Sequence, residues 1–272
     1  MSMRGFWQGL LVALTMVSTG ASAGEFVDIA GGTRAAPVRL IGYLARPQGA
    51  GPFSAVVLLH GCGGFHSSML SWADRLARFG YAALAVDSFG PRGMDDYCGS
   101  GFTDQVPDGY AALRYLTTRD FVRASHVAVM GFSMGGGSVL AALEKGPAEQ
   151  LYPQRFRAGV AFYPVCQYAS GLTTAPVLVL IGDWDDWNPS SSCEAMAAGR
   201  TELGAPRAPG DRSAIELVVY PGVHHDFDHV ELSLAPTRGV TFKGRRAEYN
   251  EEATKDAIVR VRNFLQRTIG GQ

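Results

Sequence analysis

The sequence lacks a net charge of either sign, a Cys-x-x-Cys pair and any apolar stretch beyond its N-terminus that is long enough to cross a membrane. It contains 24 basic and 25 acidic residues, so no overall field favours nucleic acid or an anionic membrane surface. Neither its four cysteines nor its six histidines show metal-ligand spacing. We therefore expect no nucleic-acid partner and no metal.

The first 23 residues have the three-part pattern of a cleaved export signal. A basic residue, Arg4, precedes an apolar run over residues 6–17, and the small residues Ala21-Ser22-Ala23 follow. The alternative is an uncleaved anchor, but the run is shorter than the roughly 20 residues needed to span a bilayer. We predict cleavage after Ala23 and a periplasmic or secreted mature protein without stable membrane association.

Residues 24–272 are predicted to form a single α/β domain, because they show no internal repeat or low-complexity linker. Short, continuous apolar runs alternate with helical patterns, which indicates a mostly parallel sheet with helices on both faces. An antiparallel pair of strands over 26–29 and 38–44 is expected to lead this sheet, and 205–212 reads as a surface loop. The predicted strands cover 55–59, 82–86, 127–130, 159–162, 177–181 and 215–219, and the predicted helices lie at 69–79, 109–117, around 139–143 and at 248–268.

The run Gly131-Phe132-Ser133-Met134-Gly135 fits the G-x-S-x-G nucleophile elbow. As a bare pentapeptide the match is weak, since any glycine- and serine-rich turn can produce it. Here, however, a predicted strand precedes it and a helix-compatible run follows. A strand that turns this sharply into a helix leaves no room for side chains beside the nucleophile, which explains the glycines. Ser133 is therefore the candidate nucleophile.

A serine nucleophile needs a base to accept its proton and an acid to orient that base. In this arrangement the acid and then the histidine follow the serine along the chain. The segments 182–189 and 220–227 supply both groups, each after a predicted strand. Spacing alone does not separate the three aspartates of the first segment, Asp183, Asp185 and Asp186, nor the two histidines of the second, His224 and His225.

A tetrahedral intermediate also needs two N–H donors directed at its oxygen. One normally belongs to the residue after the nucleophile, here Met134. The glycine-rich run His60-Gly61-Cys62-Gly63-Gly64 ends a predicted strand and resembles the loop that supplies the second donor. We expect the main-chain N–H of Cys62 to fill that role. A βα turn without a ligand is the alternative, and no phosphate-binding glycine motif occurs there.

Together these runs resemble the dienelactone hydrolase family of the α/β-hydrolase fold, over most of the mature chain from about residue 35. In that family the acid lies four residues before a proline and the histidine two residues before a phenylalanine. The resemblance thus implies Asp185 and His225. The namesake members of the family use a cysteine nucleophile, whereas this chain has Ser133, so the resemblance implies ester or lactone hydrolysis without a named substrate.

The resemblance also places the four cysteines in two neighbouring pairs of loops, which implies Cys62–Cys98 and Cys166–Cys193 disulfides. An oxidising compartment would permit both. Without a bridge, Cys62 would be a reactive thiol next to the active site.

Two residues are candidates for contacts with the substrate. Arg92 follows a predicted strand on the rim where ligands bind in open α/β sheets, and it could clamp a carboxylate. Alternatively it is solvated or paired with a nearby aspartate, Asp87, Asp95 or Asp96. Trp187 could line an aromatic pocket with Trp184, Phe132 and Tyr163, although such residues near strand ends often belong to the core.

The predicted activity is hydrolysis of a small ester or lactone through an acyl-enzyme on Ser133, with no metal or organic cofactor. A serine peptidase or a polyester hydrolase on the same fold is the enzymatic alternative. From a different class, the chain could be an inactive exported binding protein on a hydrolase scaffold. An inactive scaffold has no physical need to keep a complete triad and a glycine-rich loop.

Overall fold

The computed structural model describes residues 24–32, 36–98, 105–201, 215–235, 237 and 239–271. The predicted export signal and the loop at 205–212 lie outside these residues. Eight strands form one sheet in the order β1-β2-β4-β3-β5-β6-β7-β8. Strand β2 pairs antiparallel with β1 and with β4, and all pairs from β4 to β8 are parallel. The predicted α/β architecture, with a mostly parallel sheet and helices packed against it, is confirmed.

The central strands are buried on both faces, as their unbroken apolar sequences predict. Every residue of β3 and β7 is buried, and so are the last six residues of β5. Strand β1, at the edge of the sheet, is mostly exposed or half-buried, whereas the last four residues of β2, which lies between β1 and β4, are buried. The sheet strands span Glu25–Gly32, Pro37–Ala45, Phe53–Leu59, Ala82–Asp87, Val122–Phe132, Gly159–Phe162, Val177–Gly182 and Ile215–Tyr220 for β1 to β8.

Within the described residues, six α-helices connect or follow these strands. The last of them, α6, begins at an Asn250 cap whose side chain accepts a hydrogen bond from the N–H of Ala253. It presents a buried stripe that includes Ala257, Val261 and Phe264. The helices span Ser67–Arg78, Val106–Thr117, Met134–Leu143, Pro147–Leu151, Ser190–Ala197 and Glu251–Thr268 for α1 to α6. No helix within the described residues is long and apolar enough to cross a membrane.

Several elements depart from the sequence-based prediction. Strand β5 starts at Val122, five residues before the predicted start, and the short helices α4 and α5 are additional. A separate two-stranded hairpin, β9 (Gly239–Phe242) and β10 (Arg245–Glu248), lies between β8 and α6. This hairpin is the difference that matters most for function, because it forms one wall of the candidate site.

Candidate active site

Ser133 lies at the sharp turn between β5 and α3. Its backbone has φ 50° and ψ −112°, in the left-handed half of the map that a non-glycine residue seldom adopts. Its N–H donates to the Phe162 carbonyl at 2.9 Å, and its carbonyl accepts from the N–H of Gly137 at 3.0 Å. The neighbouring strand β6 and the first turn of α3 thus hold the strained residue in place.

The glycines around Ser133 are required by close backbone contacts. A Cβ at Gly131 would lie 2.2 Å from the Gly135 carbonyl oxygen, and a Cβ at Gly135 would lie 2.3 Å from that of Leu59. Both distances are far below a van der Waals contact. The glycines therefore allow α3 to pack directly on the carboxyl ends of β3 and β5, which places the Ser133 side chain at the rim of the sheet.

Ser133, His225 and Asp185 form a continuous hydrogen-bonded chain across three loops. The Ser133 Oγ is 2.9 Å from Nε2 of His225, and the Nδ1 of the same ring is 2.7 Å from Oδ2 of Asp185. All three residues are buried. The carboxylate accepts at Nδ1, so the imidazole carries its proton there and leaves Nε2 free to accept the hydroxyl proton of Ser133.

The backbone after β7 fixes the Asp185 carboxylate. Its Oδ1 accepts the N–H groups of Trp187 at 2.9 Å and Asn188 at 2.8 Å, which leaves Oδ2 for the imidazole. The neighbouring aspartates have other partners: Asp183 accepts the N–H of Gly222, and Asp186 accepts the N–H of Arg246. Of the three aspartates in this segment, Asp185 is the one hydrogen-bonded to His225.

The second histidine points elsewhere. The Nδ1 of His224 lies 3.0 Å from the carbonyl oxygen of Trp184, and its ring is on the outside of the site. Burial by itself lowers the pKa of the His225 imidazole. The negative charge of Asp226 and the hydrogen bond to Asp185 outweigh that effect and raise the pKa above its ordinary value.

A buried, hydrogen-bonded group of three side chains, Tyr163, Asp228 and Trp72, packs beneath the His225 imidazole. The Tyr163 ring lies 4.6 Å from the His225 ring, centroid to centroid, and its hydroxyl donates to Oδ1 of Asp228 at 2.6 Å. The indole N–H of Trp72 donates to the other oxygen of Asp228 at 2.7 Å. Burial raises the pKa of the Asp228 carboxyl. This group ties α1, β6 and the loop after β8 together directly beneath His225.

The glycine-rich turn after β3 lies against Ser133. A Cβ at Gly61 would be 3.5 Å from the Cβ of Ser133, and Cys62 lines the same cleft as Ser133. A disulfide joins Cys62 to Cys98, and the Cys62 carbonyl accepts the N–H of Tyr97 at 2.7 Å. Met134 is the first residue of α3, so its N–H has no acceptor within the helix. The main-chain N–H groups of Cys62 and Met134 thus lie next to Ser133, the first in a turn held by a disulfide and the second at the start of α3.

His60 holds this turn from the protein interior. It is fully buried, its Nε2 accepts the N–H of Ser88 at 3.1 Å, and its Nδ1 donates to the Gly61 carbonyl at 2.7 Å. Burial lowers the pKa of this imidazole. His60 is therefore a neutral structural residue that connects the loops after β3 and β4.

A cleft of about 330 Å³ opens above Ser133 and His225, and its lining is mainly apolar. The Trp187 ring stacks on His225 at 5.5 Å and, nearly parallel, on Phe242 of β9 at 5.9 Å. Phe242 also lines a second cleft of about 500 Å³, which likewise includes Ser133 in its lining. Trp187 lies in both walls. Within the described residues, no group of His, Cys, Asp or Glu side chains is arranged to hold a metal.

The structure does not place Arg92 in either cleft. Its guanidinium forms a two-pronged ion pair with the buried Asp108 of α2, both N–O distances being 2.9 Å, and it also donates to the Ser88 carbonyl. The expectation that Arg92 clamps a substrate carboxylate is therefore corrected. Its partner is also not one of the aspartates near it in sequence, because α2 brings Asp108 closer in space.

The four cysteines pair as the resemblance implies, Cys62 with Cys98 and Cys166 with Cys193. No cysteine is free among the residues that the structure describes, so Cys62 is not a thiol. Sequence reasoning missed Phe242, Asp226 and Asp228 of the site. The hairpin that carries Phe242 turns at Lys243-Gly244, both with positive φ, which is the two-residue turn that a Gly between short alternating segments can indicate.

A sequence profile of the Dienelactone hydrolase family matches residues 40–269. The chain belongs to the dienelactone hydrolase family. A relative from a Bradyrhizobium species, described as a probable 2-oxo-3-(5-oxofuran-2-ylidene)propanoate lactonase, is 29% identical over 210 residues, which are 69% of this chain and 78% of the relative.

Solved structures with the same fold include members of this family and esterases. A dienelactone hydrolase structure from Klebsiella pneumoniae has a TM-score of 0.67 at 21% identity, covering 90% of this chain and all of the other. Esterase 2 of Thermogutta terrifontis, in a form phosphorylated by paraoxon, has a TM-score of 0.64 at 16% identity, with 92% of this chain and 95% of the other covered. At these identities the likeness concerns the fold.

Proposed function

We propose that this protein is a serine hydrolase that cleaves a carboxylic ester or a lactone through an acyl-enzyme on Ser133. The observation that carries the proposal is the buried hydrogen-bonded chain from Ser133 through His225 to Asp185. The order of the three residues and the tautomer of the His225 imidazole suit a nucleophile, a base and an orienting acid. The family and the esterase neighbours support hydrolysis of an ester or lactone in general.

In the acylation step, Ser133 Oγ attacks the substrate carbonyl while Nε2 of His225 takes the hydroxyl proton. The carbonyl oxygen becomes an oxyanion, which the main-chain N–H groups of Cys62 and Met134 stabilise. When the tetrahedral intermediate collapses, the bond to the leaving oxygen breaks and His225 returns its proton to that oxygen. Asp185 keeps the imidazole in the right tautomer and stabilises its transient positive charge.

In the deacylation step, His225 deprotonates a water that attacks the acyl carbon, and the proton passes back to Ser133 Oγ as the acid product leaves. With a lactone, the leaving oxygen stays attached to the acyl chain, so one hydroxy acid is the product. The same residues serve both substrate classes. The paraoxon-phosphorylated esterase is consistent with such a nucleophile in a protein of the same fold.

Labelling by a fluorophosphonate probe tests the nucleophile. We expect the wild type to be labelled and Ser133→Ala to remain unlabelled and inactive. Ser138→Ala, five residues further along in α3, is the matched control, because its hydroxyl donates to the Met134 carbonyl at 3.3 Å within its own helix. Failure to label the wild type, or equal labelling of the Ser133→Ala variant, would overturn the proposal.

A substrate panel tests the reaction class. It contains p-nitrophenyl esters of increasing chain length, simple lactones and a peptide substrate. We expect Ser133-dependent turnover of esters or lactones and none of the peptide. Turnover of the peptide alone would favour a peptidase instead.

A further inference from the structure

A second carboxylate lies next to the base. Oδ1 of Asp226 is 3.9 Å from Nε2 of His225, the atom that faces Ser133. Unlike Asp185, which is buried on the far side of the imidazole, Asp226 is 31% exposed and lines the cleft above Ser133. Within the described residues its carboxylate has no hydrogen bond or ion pair other than this approach to the imidazole. Its negative charge is therefore presented to whatever occupies the cleft.

The backbone at Asp226 makes this position unusual. Its φ is 55°, a left-handed conformation that favours glycine. A side chain is nevertheless present there, and the conformation directs it beside the reacting atoms instead of into the core, where Phe227 and Asp228 point. Glycine would satisfy the backbone equally well, so the carboxylate itself needs an explanation.

The rest of the cleft does not neutralise this charge. Among the described lining residues, Asp96 adds a second carboxylate and no lysine or arginine contributes. His66, His229 and Ser68 are further polar residues of the lining, and Met69, Val240 and Phe242 make up much of the apolar wall. Lys243 and Arg245 line the second cleft, and the Lys243 ammonium donates to the carbonyl of Cys98, which borders both clefts.

We infer that Asp226 is a specificity-determining residue that favours esters with a cationic alcohol group and disfavours those with an anionic one. The inference rests on the proposed function and concerns the leaving group. The leaving oxygen must approach Nε2 of His225 to receive its proton. Substituents on that oxygen therefore enter the part of the cleft that Asp226 borders, where a positive charge is attracted and a negative charge is repelled.

The experiment compares three butyrate esters that differ in the charge of the alcohol. They are the choline ester, its neutral carbon isostere 3,3-dimethylbutyl butyrate, and the ester of 3-hydroxypropane-1-sulfonate. Each kcat/KM is divided by the rate constant for hydroxide-catalysed hydrolysis, which removes differences in leaving-group reactivity. In the wild type we expect the cationic ester to exceed the neutral one by about tenfold and the anionic ester to fall below it by a similar factor, as for charges about 5 Å apart in a partly hydrated site.

The variant Asp226→Asn should move both ratios at least about threefold towards one, since Asp96 still lines the cleft but Asp226 is the carboxylate beside His225. Asparagine keeps the shape and tolerates the left-handed backbone. The variant also changes the basicity of His225, but that change affects all three esters and cancels in the ratios. Asp95→Asn is the matched control, since it removes the same charge from an exposed residue that does not line the cleft, and its ratios should equal those of the wild type.

Salt provides a second measurement that needs no variant. Because Asp226 is partly exposed, added salt should screen its charge, and both wild-type ratios should move towards one between 20 mM and 500 mM NaCl. Ratios that are unchanged by salt and by Asp226→Asn, with Ser133-dependent cleavage of the neutral ester, would overturn this inference alone. If no ester is cleaved faster by the wild type than by Ser133→Ala, the proposed function fails and this inference fails with it.

Discussion

At the scale of single residues, three aspartates within four positions offer an internal test of the orienting acid. Asp185→Asn should lower kcat by about 10³- to 10⁴-fold, because an amide at that position no longer enforces the imidazole tautomer that leaves Nε2 unprotonated. Initial rates on a p-nitrophenyl ester measure the effect. The control is Asp186→Asn, whose carboxylate accepts the backbone N–H of Arg246 and which should lose less than about threefold. A comparable loss in both variants would contradict the assignment.

The charge around His225 predicts the pH dependence of the reaction. The base must be neutral to accept the Ser133 proton, and nearby carboxylates raise the pKa of His225. We therefore expect kcat/KM to fall on the acid side with a midpoint above about 6.5, the ordinary value for histidine. Removing the largest of these charges in Asp226→Asn should move the midpoint to lower pH. A midpoint that stays in place or rises would contradict this electrostatic account.

At the scale of elements, the turn from β5 into α3 should tolerate no added side chain. Gly131→Ala would place a Cβ 2.2 Å from the Gly135 carbonyl oxygen, and the backbone cannot relieve this contact without moving Ser133. We expect a loss of at least about 3 kcal/mol in the free energy of unfolding, or failure to fold. Chemical denaturation of the purified protein provides the measurement.

Gly109→Ala in α2 is the matched control for that substitution. Its nearest neighbour would be a methyl of Leu59 at 3.5 Å, an ordinary contact, and alanine is favoured over glycine inside a helix. The free energy of unfolding should stay the same or rise by up to about 1 kcal/mol. Equal destabilisation by both substitutions would show that the close contacts at the elbow are not the cause.

The elements that sequence reasoning predicted and those that it missed differ in burial. Strands such as β3 and β7 are buried throughout, so their continuous apolar runs identify them without tertiary information. The hairpin β9–β10 has mostly exposed or half-buried residues, and its Phe242 stacks on Trp187, which is distant in sequence. Its contribution to the cleft therefore could not be derived from periodicity.

The site residues also differ in whether the local sequence or a tertiary contact identifies them. Ser133 is identified by local backbone requirements, whereas the choice of Asp185 over Asp183 and Asp186 came from the family resemblance. Which carboxylate reaches His225 depends on the conformation of the loop after β7, where two N–H groups bind Asp185. Arg92 was misjudged for a similar reason, because Asp108 is distant in sequence and is brought near by α2.

At the scale of the whole molecule, two disulfides link loops that the sheet holds at one rim. Cys62–Cys98 joins the turn after β3 to the loop after β4, and Cys166–Cys193 joins the segment after β6 to α5. Such bridges persist in an oxidising compartment and are compatible with an exported protein. The predicted cleavage after Ala23 is testable by N-terminal sequencing of protein recovered from the periplasm or medium, where the mature chain should begin at Gly24.

The two bridges should contribute similarly to stability but differently to catalysis. They span 36 and 27 residues, for which loop-closure entropy gives about 3.5 to 4 kcal/mol each.

Only Cys62 belongs to the turn proposed to stabilise the oxyanion, whereas Cys166–Cys193 lines neither cleft beside Ser133. Replacing Cys62 and Cys98 by serine should therefore lower kcat by about tenfold or more, given the worth of one oxyanion donor, with little change in KM. Replacing Cys166 and Cys193 should lower the melting temperature by a similar amount and leave kcat within about twofold at 20 °C. Equal kcat values for the two double variants would mean that hydrogen bonds such as Tyr97 N–H to the Cys62 carbonyl fix the turn without the disulfide.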